Sequence, residues 1–459
     1  MRRSSVFAVA LAAVLLAVSA FAPVGGAALA ADAERVQRSD RAGPTEISSC
    51  TDITESGEYM LTGRIDNRSA TRPSSGLGAC ISIAADDVTL RGRGHTVAGG
   101  DSPGVVGVLV QGPKMLSNVT VRNLRTTGWG AGVAAVGVRD ATFRNVSAVG
   151  NLGDGFFVER APNATLVDAT ARGSNTGVFL RNADGARVVG GAIVDNIAGV
   201  TVERSNRATV TGANVSRNRR YGVGVFDSAN ATVADVTAAA NGFAGVALSR
   251  ADRAVVRNVT VAAPTVGAED SVGVLVNDSR GVDLVDVALG GGVGWPLYAT
   301  GGSTVVGERV ELGGETLSFD LRDVALDAAD ATPPLPAGRR IVGGPFVATP
   351  TGESAHLRLS VDYRDRAGTA GETGSEPSGA PSGEAPSLWR FGPDGWTPLD
   401  GASGDENEDE NGVEKEGEGG DGAESNLASA TLADLDENGT VVAVLAPEHR
   451  NATTAPAGR

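Results

Sequence analysis

A glycine followed by an apolar-x-apolar pair returns eight times along the middle of the chain, and this recurrence limits the possible folds more than any other feature. The glycines are Gly107, Gly132, Gly155, Gly177, Gly199, Gly222, Gly245 and Gly273, spaced 25, 23, 22, 22, 23, 23 and 28 residues apart. One position after each come Val108, Val133, Phe156, Val178, Val200, Val223, Val246 and Val274. Three positions after come Val110, Ala135, Val158, Leu180, Val202, Val225, Leu248 and Val276. An apolar period of two is a strand with one buried side. At the eleventh position a second strand places Phe143, Leu166, Val188, Val210, Val233, Val256 and Leu284. The alternation then skips a step before Val236, Val259 with Val261, and Val287 with Leu289, which marks a bend into another strand.

Short strands joined by bends, at a period too short for a helical repeat, describe the turns of a solenoid. Each turn ends near Asn151, Asn175, Asn196, Asn218 or Asn241. Asparagine tolerates left-handed backbone at such ends, and stacked amides can bond along the axis. Parallel crossovers are right-handed. The expected fold is all-β: a right-handed, single-stranded parallel β-helix from about Gly104 to Leu289, with a rod on the order of 40 Å. A β-sandwich with irregular hairpins does not explain the register.

The remainder divides around this core. Residues 1–30 read as a signal peptide, with Arg2-Arg3, an apolar run from Val6 to Ala22, and small residues to Ala30. The arginine pair fits twin-arginine export but lacks the fuller consensus. Residues 31–100 are expected to form an N-terminal cap and first coil, residues 101–330 the β-helix, and the Pro-rich stretch 331–340 a linker. A small β-sandwich-like domain is expected over 341–447, followed by a tail, 448–459. Two inserts, about 366–385 and 403–425, have the composition of disordered segments. After signal cleavage no apolar stretch is long enough to span a membrane, so the expected location is secreted or cell-surface.

Cys50 and Cys80, an even pair in an exported chain, are expected to form a disulfide. The net charge is −16, and only Lys114 and Lys415 among 39 basic residues are lysine. Acidic, lysine-poor surfaces stay hydrated in concentrated salt, which points to a salt-loving source. The arginines form no basic stripe, which argues against nucleic acid. Ten N-x-S/T sequons, from Asn67 to Asn451, make surface glycosylation an expectation alongside compositional accident.

The stretch Cys50-Thr-Asp-Ile-Thr-Glu-Ser-Gly-Glu-Tyr-Met-Leu, then Ala-Cys80-Ile, then Asp87-Val-Thr-Leu-Arg-Gly-Arg-Gly-His95, resembles the start of NosD-type right-handed β-helix proteins, common among secreted and cell-surface proteins of halophilic archaea. The resemblance covers roughly residues 45–330; Arg91 stands where that family carries Asp. It implies the fold but not one function, because the group holds sugar-processing enzymes and a periplasmic protein linked to copper-enzyme maturation.

Copper would need clustered soft or imidazole ligands, and His95, His356, His449, Met60 and Met115 are dispersed, so no metal and no cofactor is expected. No Ser/His/Asp nucleophile signature is present. Glycan chemistry on a β-helix uses outward residues, found at the second and fourth positions after each glycine. There Glu159, Arg181 and Glu203 fall on consecutive coils, beside Phe157, Phe179 and Phe226. Rings beside carboxylates and guanidinium suit a sugar. The same charges could equally be a stabilising ladder. An arginine between two glutamates favours their charged forms, which fits binding better than general-acid work. Asp86-Asp87 resembles the paired carboxylates of some β-helix glycosidases but falls in a turn, where Asp is favoured. Trp129 and Tyr221 could extend a sugar platform or plug gaps.

The expected function is therefore an exported, non-catalytic carbohydrate-binding or cell-envelope protein whose partner is a polysaccharide or envelope glycan. The alternative is a polysaccharide lyase or glycoside hydrolase, with Glu159 and Glu203 as candidate catalytic carboxylates. A weaker alternative is an accessory factor for a secreted copper enzyme.

Overall fold

The computed structural model describes residues 43–67, 78–262, 271–290, 292–362, 386–399, 427–432 and 434–447. The expected signal peptide, the tail and the inserts about 366–385 and 403–425 lie outside them. The described residues from Pro44 onward form one unit.

One turn shows the plan. Strands Thr176–Arg181, Arg187–Val189 and Ala192–Val194 each stack parallel on their counterparts Asp154–Glu159, Thr165–Val167 and Thr170–Arg172. Repeating this builds a right-handed parallel β-helix of about ten turns. Its interior holds the residues at the first, third and eleventh positions: Val178, Leu180 and Val188 are all 0 % exposed. Val236, Val259 and Val287, beyond the bend, are buried too.

The bends sit on left-handed residues. Arg160, Asn182, Arg204, Asp227 and Arg250 turn the chain out of the first strand, with φ between 48° and 50°. Asp168, Gly190, Gly212, Asp235 and Asn258 make the second corner, and Gly150, Gly173, Asp195 and Arg217 the third. Left-handed backbone is unfavourable for arginine. At two third- and first-corner positions the strain is accompanied by an ion pair to the preceding rung, Arg217 to Asp195 at 2.9 Å and Arg250 to Asp227.

The asparagines have a different place from the one expected. Asn196, Asn218 and Asn241 do not adopt positive φ; they follow the left-handed residues and point inward, 1–3 % exposed. Asn175 is exposed, and its neighbour Ser174 occupies the internal position. The repeat glycines answer to space instead of dihedral angle. A Cβ on Gly155 would lie 2.6 Å from the carbonyl oxygen of Gly177, and one on Gly177 2.9 Å from that of Gly199.

The segment expected as cap and first coil carries the same stacking. Thr51–Ile53 pairs with Gly78–Ile83, which pairs with Thr96–Val110. Cys50 and Cys80 are disulfide-bonded across these turns, closing a sequence separation of 30.

At the other end the last parallel strands are Trp295–Thr300 and Thr304–Leu312. Val324–Ala328 runs antiparallel to the first and Glu315–Arg322 to the second, so the open parallel edge is covered. Both sheets then continue. Glu315–Arg322 leads to His356–Asp362 and Leu427–Leu432; Val324–Ala328 leads to Phe346–Pro350, Thr440–Pro447 and Ser387–Gly392. Leu317, Leu321, Leu357, Ala348 and Val442 are buried there. The Pro-rich stretch connects Val324–Ala328 to Arg339–Ile341 inside this unit, and Pro334 O accepts the Trp396 indole N–H at 3.0 Å.

Candidate functional site

The first strand of each turn forms a sheet whose outer surface carries three columns of side chains: the residue before each glycine, the second after it and the fourth after it. Gly155 and Phe156 both turn inward: a Cβ on Gly155 would meet Ala171 and Ala148, and Phe156 is 0 % exposed. Asp154 and Phe157 are therefore successive outward groups.

On the turns of Gly155 and Gly177 the columns hold three rung-to-rung pairs. Phe157 and Phe179 are in register, their rings 5.9 Å apart and tilted by 60°. On one side Glu159 faces Arg181, whose Nε lies 3.9 Å from Oε1; Arg160 approaches the same oxygen at 3.5 Å. On the other side Asp154 faces Thr176, whose hydroxyl is its hydrogen-bond donor. Burial pushes the Asp154 carboxyl up to about 6, partly offset by that hydrogen bond. An aromatic pair flanked by polar groups can hold a sugar ring by its apolar face and its hydroxyls together.

The structure brings four of the expected residues together and separates two. Phe157, Glu159, Phe179 and Arg181 form the patch. Glu203 is in register with Arg181, but among the described residues no ion pair joins them; Glu203 pairs with its neighbour Arg204. The expected three-member charge sandwich is thus one pair plus a separate one, because the corner arginines at the fifth position compete for each glutamate. The Arg181 Nε is buried without an acceptor within hydrogen-bonding distance.

Phe226 stands apart from this patch. It occupies the fourth-position column, opposite Glu203 and Ser249, and not the column of the other two phenylalanines. Its ring meets Tyr221 edge-on, with centroids 5.5 Å apart, over Gly224. A Cβ on Gly224 would lie 2.6 Å from one ring and 2.7 Å from the other. Tyr221 is an outward ring, its hydroxyl 3.1 Å from Thr201 Oγ1 and its face 5.6 Å from the Arg220 guanidinium carbon. Trp129 is a plug: it is 0 % exposed, and its indole N–H donates to Val97 O at 2.9 Å. Asp86 accepts from Ser117 and pairs with Lys114 at 3.1 Å, and these contacts lower its pKa. Asp87 turns left-handed at φ 55° and accepts from Asn118. Both carboxylates are turn-builders.

Sequence reasoning missed Asp154 and Thr176, since counting began at the glycine and the residue before it was not given a side. Trp295 and Tyr298, also on this outer surface, were missed because Pro296 replaces the glycine of the last turn and hides the register; Phe243, packed in the same cluster, stands two residues before Gly245, outside the positions counted. Among the described residues no three His, Cys, Asp or Glu side chains converge as metal ligands.

Residues 106–282 match the family model described as "Right handed beta helix region". No curated protein matches the chain in sequence. Among solved structures it is similar to the A-module of a mannuronan C-5 epimerase from Azotobacter vinelandii, at 17% identity and a TM-score of 0.42, over 59% of this chain and 88% of that one. It is similar also to a periplasmic alginate epimerase, at 14% identity and a TM-score of 0.45, over 56% of this chain and 69% of that one. A third likeness is to the enzymatically active domain of tailspike protein 2 from bacteriophage CBA120, at 12% identity and a TM-score of 0.36, over 69% of this chain and 70% of that one. At these identities the likeness is one of fold. The parallel stacking of turn on turn gives this chain the right-handed parallel β-helix fold, and the family match over residues 106–282 agrees with it.

Proposed function

We propose that this is an exported, non-catalytic glycan-binding protein of the cell envelope, active in concentrated salt, which holds its ligand on the outer surface of the first sheet. The observation that carries the reading is the Phe157–Phe179 pair, partly exposed and bracketed by Asp154 with Thr176 on one side and Glu159 with Arg181 on the other. A ladder serving stability alone has no use for two outward phenylalanines between two polar pairs. The acidic composition, the signal-like start and the disulfide support export and a salty setting.

One observation favours a second reading, a polysaccharide lyase or hydrolase. The Asp154 carboxyl, pushed up to about 6, is poised for proton transfer in the same patch.

The test is a panel of polyuronates, neutral β-glucans and mannans, offered to the purified protein in multimolar and in low salt. Binding is measured together with release of reducing ends or unsaturated sugars. Retention of a polymer without turnover, weakened about tenfold by Phe179→Ala (~1.4 kcal/mol), is the expected result. Turnover abolished by Asp154→Asn or Glu203→Gln would establish the enzyme. If nothing is retained, and Phe179→Ala only shifts the melting temperature, the patch is structural.

A further inference from the structure

The outer surface of the first sheet does not end at the phenylalanine pair. Two turns beyond Phe179 comes the Tyr221–Phe226 pair, and three turns further Trp295 and Tyr298 meet edge-on with centroids 5.7 Å apart. Tyr298 continues the column of Phe157 and Phe179, after Ala247 and Leu275, and Trp295 continues that of Asp154, Tyr221 and Val272. Phe243 and Leu275 pack into the same apolar cluster. Trp295, Tyr298, Leu275 and Phe243 all keep part of their surface open.

The polar groups beside Leu275 and Tyr298 are neutral. Asn277 and Thr300 line the fourth-position column next to Leu275 and Tyr298, and Asn277 Nδ2 donates to Ser249 Oγ at 3.2 Å. Between Glu203 and Thr300 that column, reading Phe226, Ser249 and Asn277, carries no charge. Rings bordered by amide and hydroxyl groups match the two sides of a sugar, apolar ring face and hydroxyl rim. From Phe157 to Tyr298 are six steps of the stack, roughly 29 Å at the parallel-strand spacing of ~4.8 Å.

We infer that the ligand is a linear glycan lying along the helix axis, held at one end by Phe157 and Phe179 and at the other by Trp295 and Tyr298. The inference rests on the glycan-binding reading and adds its length and direction. A chain bound at both ends gains from the second contact as an intramolecular event, so affinity climbs with chain length until the far pair is reached. A dimer or trimer sees only the nearer patch.

The test uses size-graded oligomers, dimer to octamer, of one polyuronate and one neutral β-glucan, with affinity measured by calorimetry. Affinity is expected to rise at least tenfold from dimer to octamer within one series. Tyr298→Ala removes that rise, whereas Phe179→Ala weakens every length. Because Tyr298→Ala disturbs a packed cluster, a second measurement stands beside it. Octamers but not dimers shift the tryptophan emission, and Trp295→Phe abolishes the shift. Dimer and octamer binding equally, both through Phe179, would overturn the axial chain and leave the glycan-binding reading standing. Binding of neither series overturns both.

Discussion

Asn196 donates both its backbone N–H, at 3.0 Å, and its side-chain Nδ2, at 3.2 Å, to the single oxygen Oδ1 of Asn218 on the next turn. Asn218 repeats this toward Asn241 at 3.0 and 3.1 Å and sends its own Nδ2 to Ile193 O at 3.1 Å. Each asparagine thus satisfies a backbone donor, a side-chain donor and a carbonyl in a place no water reaches. Replacing Asn218 by alanine strands several of these groups at once. The expected cost is about 2–4 kcal/mol, read as a lower denaturation midpoint. A loss below about 0.5 kcal/mol would mean water repairs the gap.

The ladder has one flaw. At Ser174 the hydroxyl has no partner, and Asn151 Nδ2 on the turn before is likewise unsatisfied. Gly155 stands 19 residues before Ser174, as Gly177 stands 19 before Asn196, whose Nδ2 it faces, so the repeat offers the same bare α-carbon to a carboxamide at 174. Ser174→Asn is expected to raise stability by about 1 kcal/mol. Thermal melts of the single variant decide it: a lower midpoint would show that the site is overpacked.

Asp154 should leave a mark on the pH profile of stability. Its carboxyl is pushed from the ordinary 3.8 to about 6, so between those values the folded chain holds a proton that the unfolded chain has released. Stability therefore falls as pH rises through this window, and the loss is complete above the folded value. The residue keeps some exposure, which tempers the penalty to on the order of 1–2 kcal/mol. Melting the wild type and Asp154→Asn from pH 4 to 8 should show the variant gaining relative stability toward neutral pH. A constant difference across the range would remove Asp154 as the cause.

Trp129 fills space that two glycines leave for it. A Cβ on Gly99 would lie 2.7 Å from the indole ring, and one on Gly107 2.9 Å from it. Trp129→Ala opens a cavity beside Gly99 and Gly107 and is expected to cost about 3–5 kcal/mol. Trp129→Phe keeps most of the volume but leaves Val97 O without its donor, for about 1–2 kcal/mol. Chemical denaturation of the two variants side by side separates the contributions of packing and hydrogen bonding.

Reduction of Cys50–Cys80 frees a loop closed over 30 residues. The chain-entropy estimate puts its contribution at about 3–4 kcal/mol. Proteolysis under mild reductant should cut first in the turns around Thr51–Ile53, and a Cys50→Ser, Cys80→Ser protein should show the same pattern without reductant.

The stack was legible because burial repeats with the turn: Val178, Leu180 and Val188 are apolar for the same reason in every rung, so one periodicity marks them all. The outer surface has no such constraint. Glu159, Arg181 and Glu203 fall in one column by sequence, yet whether they pair depends on Arg160 and Arg204 at the corner, whose reach no spacing reveals. The asparagines were legible as a ladder but not as inward groups, because the left-handed turn lies one residue earlier, on Asp195 and Arg217. Tyr298 and Trp295 were hidden where Pro296 stands in for glycine. Its ring is accommodated because the last parallel turn faces an antiparallel strand in place of another glycine turn.

The repeat glycines carry a consequence for how such a chain can grow. Each turn asks one thing of its predecessor, a bare α-carbon next to its own glycine carbonyl, and the demand is met from Gly132 to Gly245. A duplicated stretch of 22 or 23 residues, cut anywhere between two such glycines, would slot in without disturbing either neighbour. Point mutation at these glycines is punished while whole-turn copying is not. The length of the outer sheet is thus heritable, set by the number of turns and adjustable in single steps.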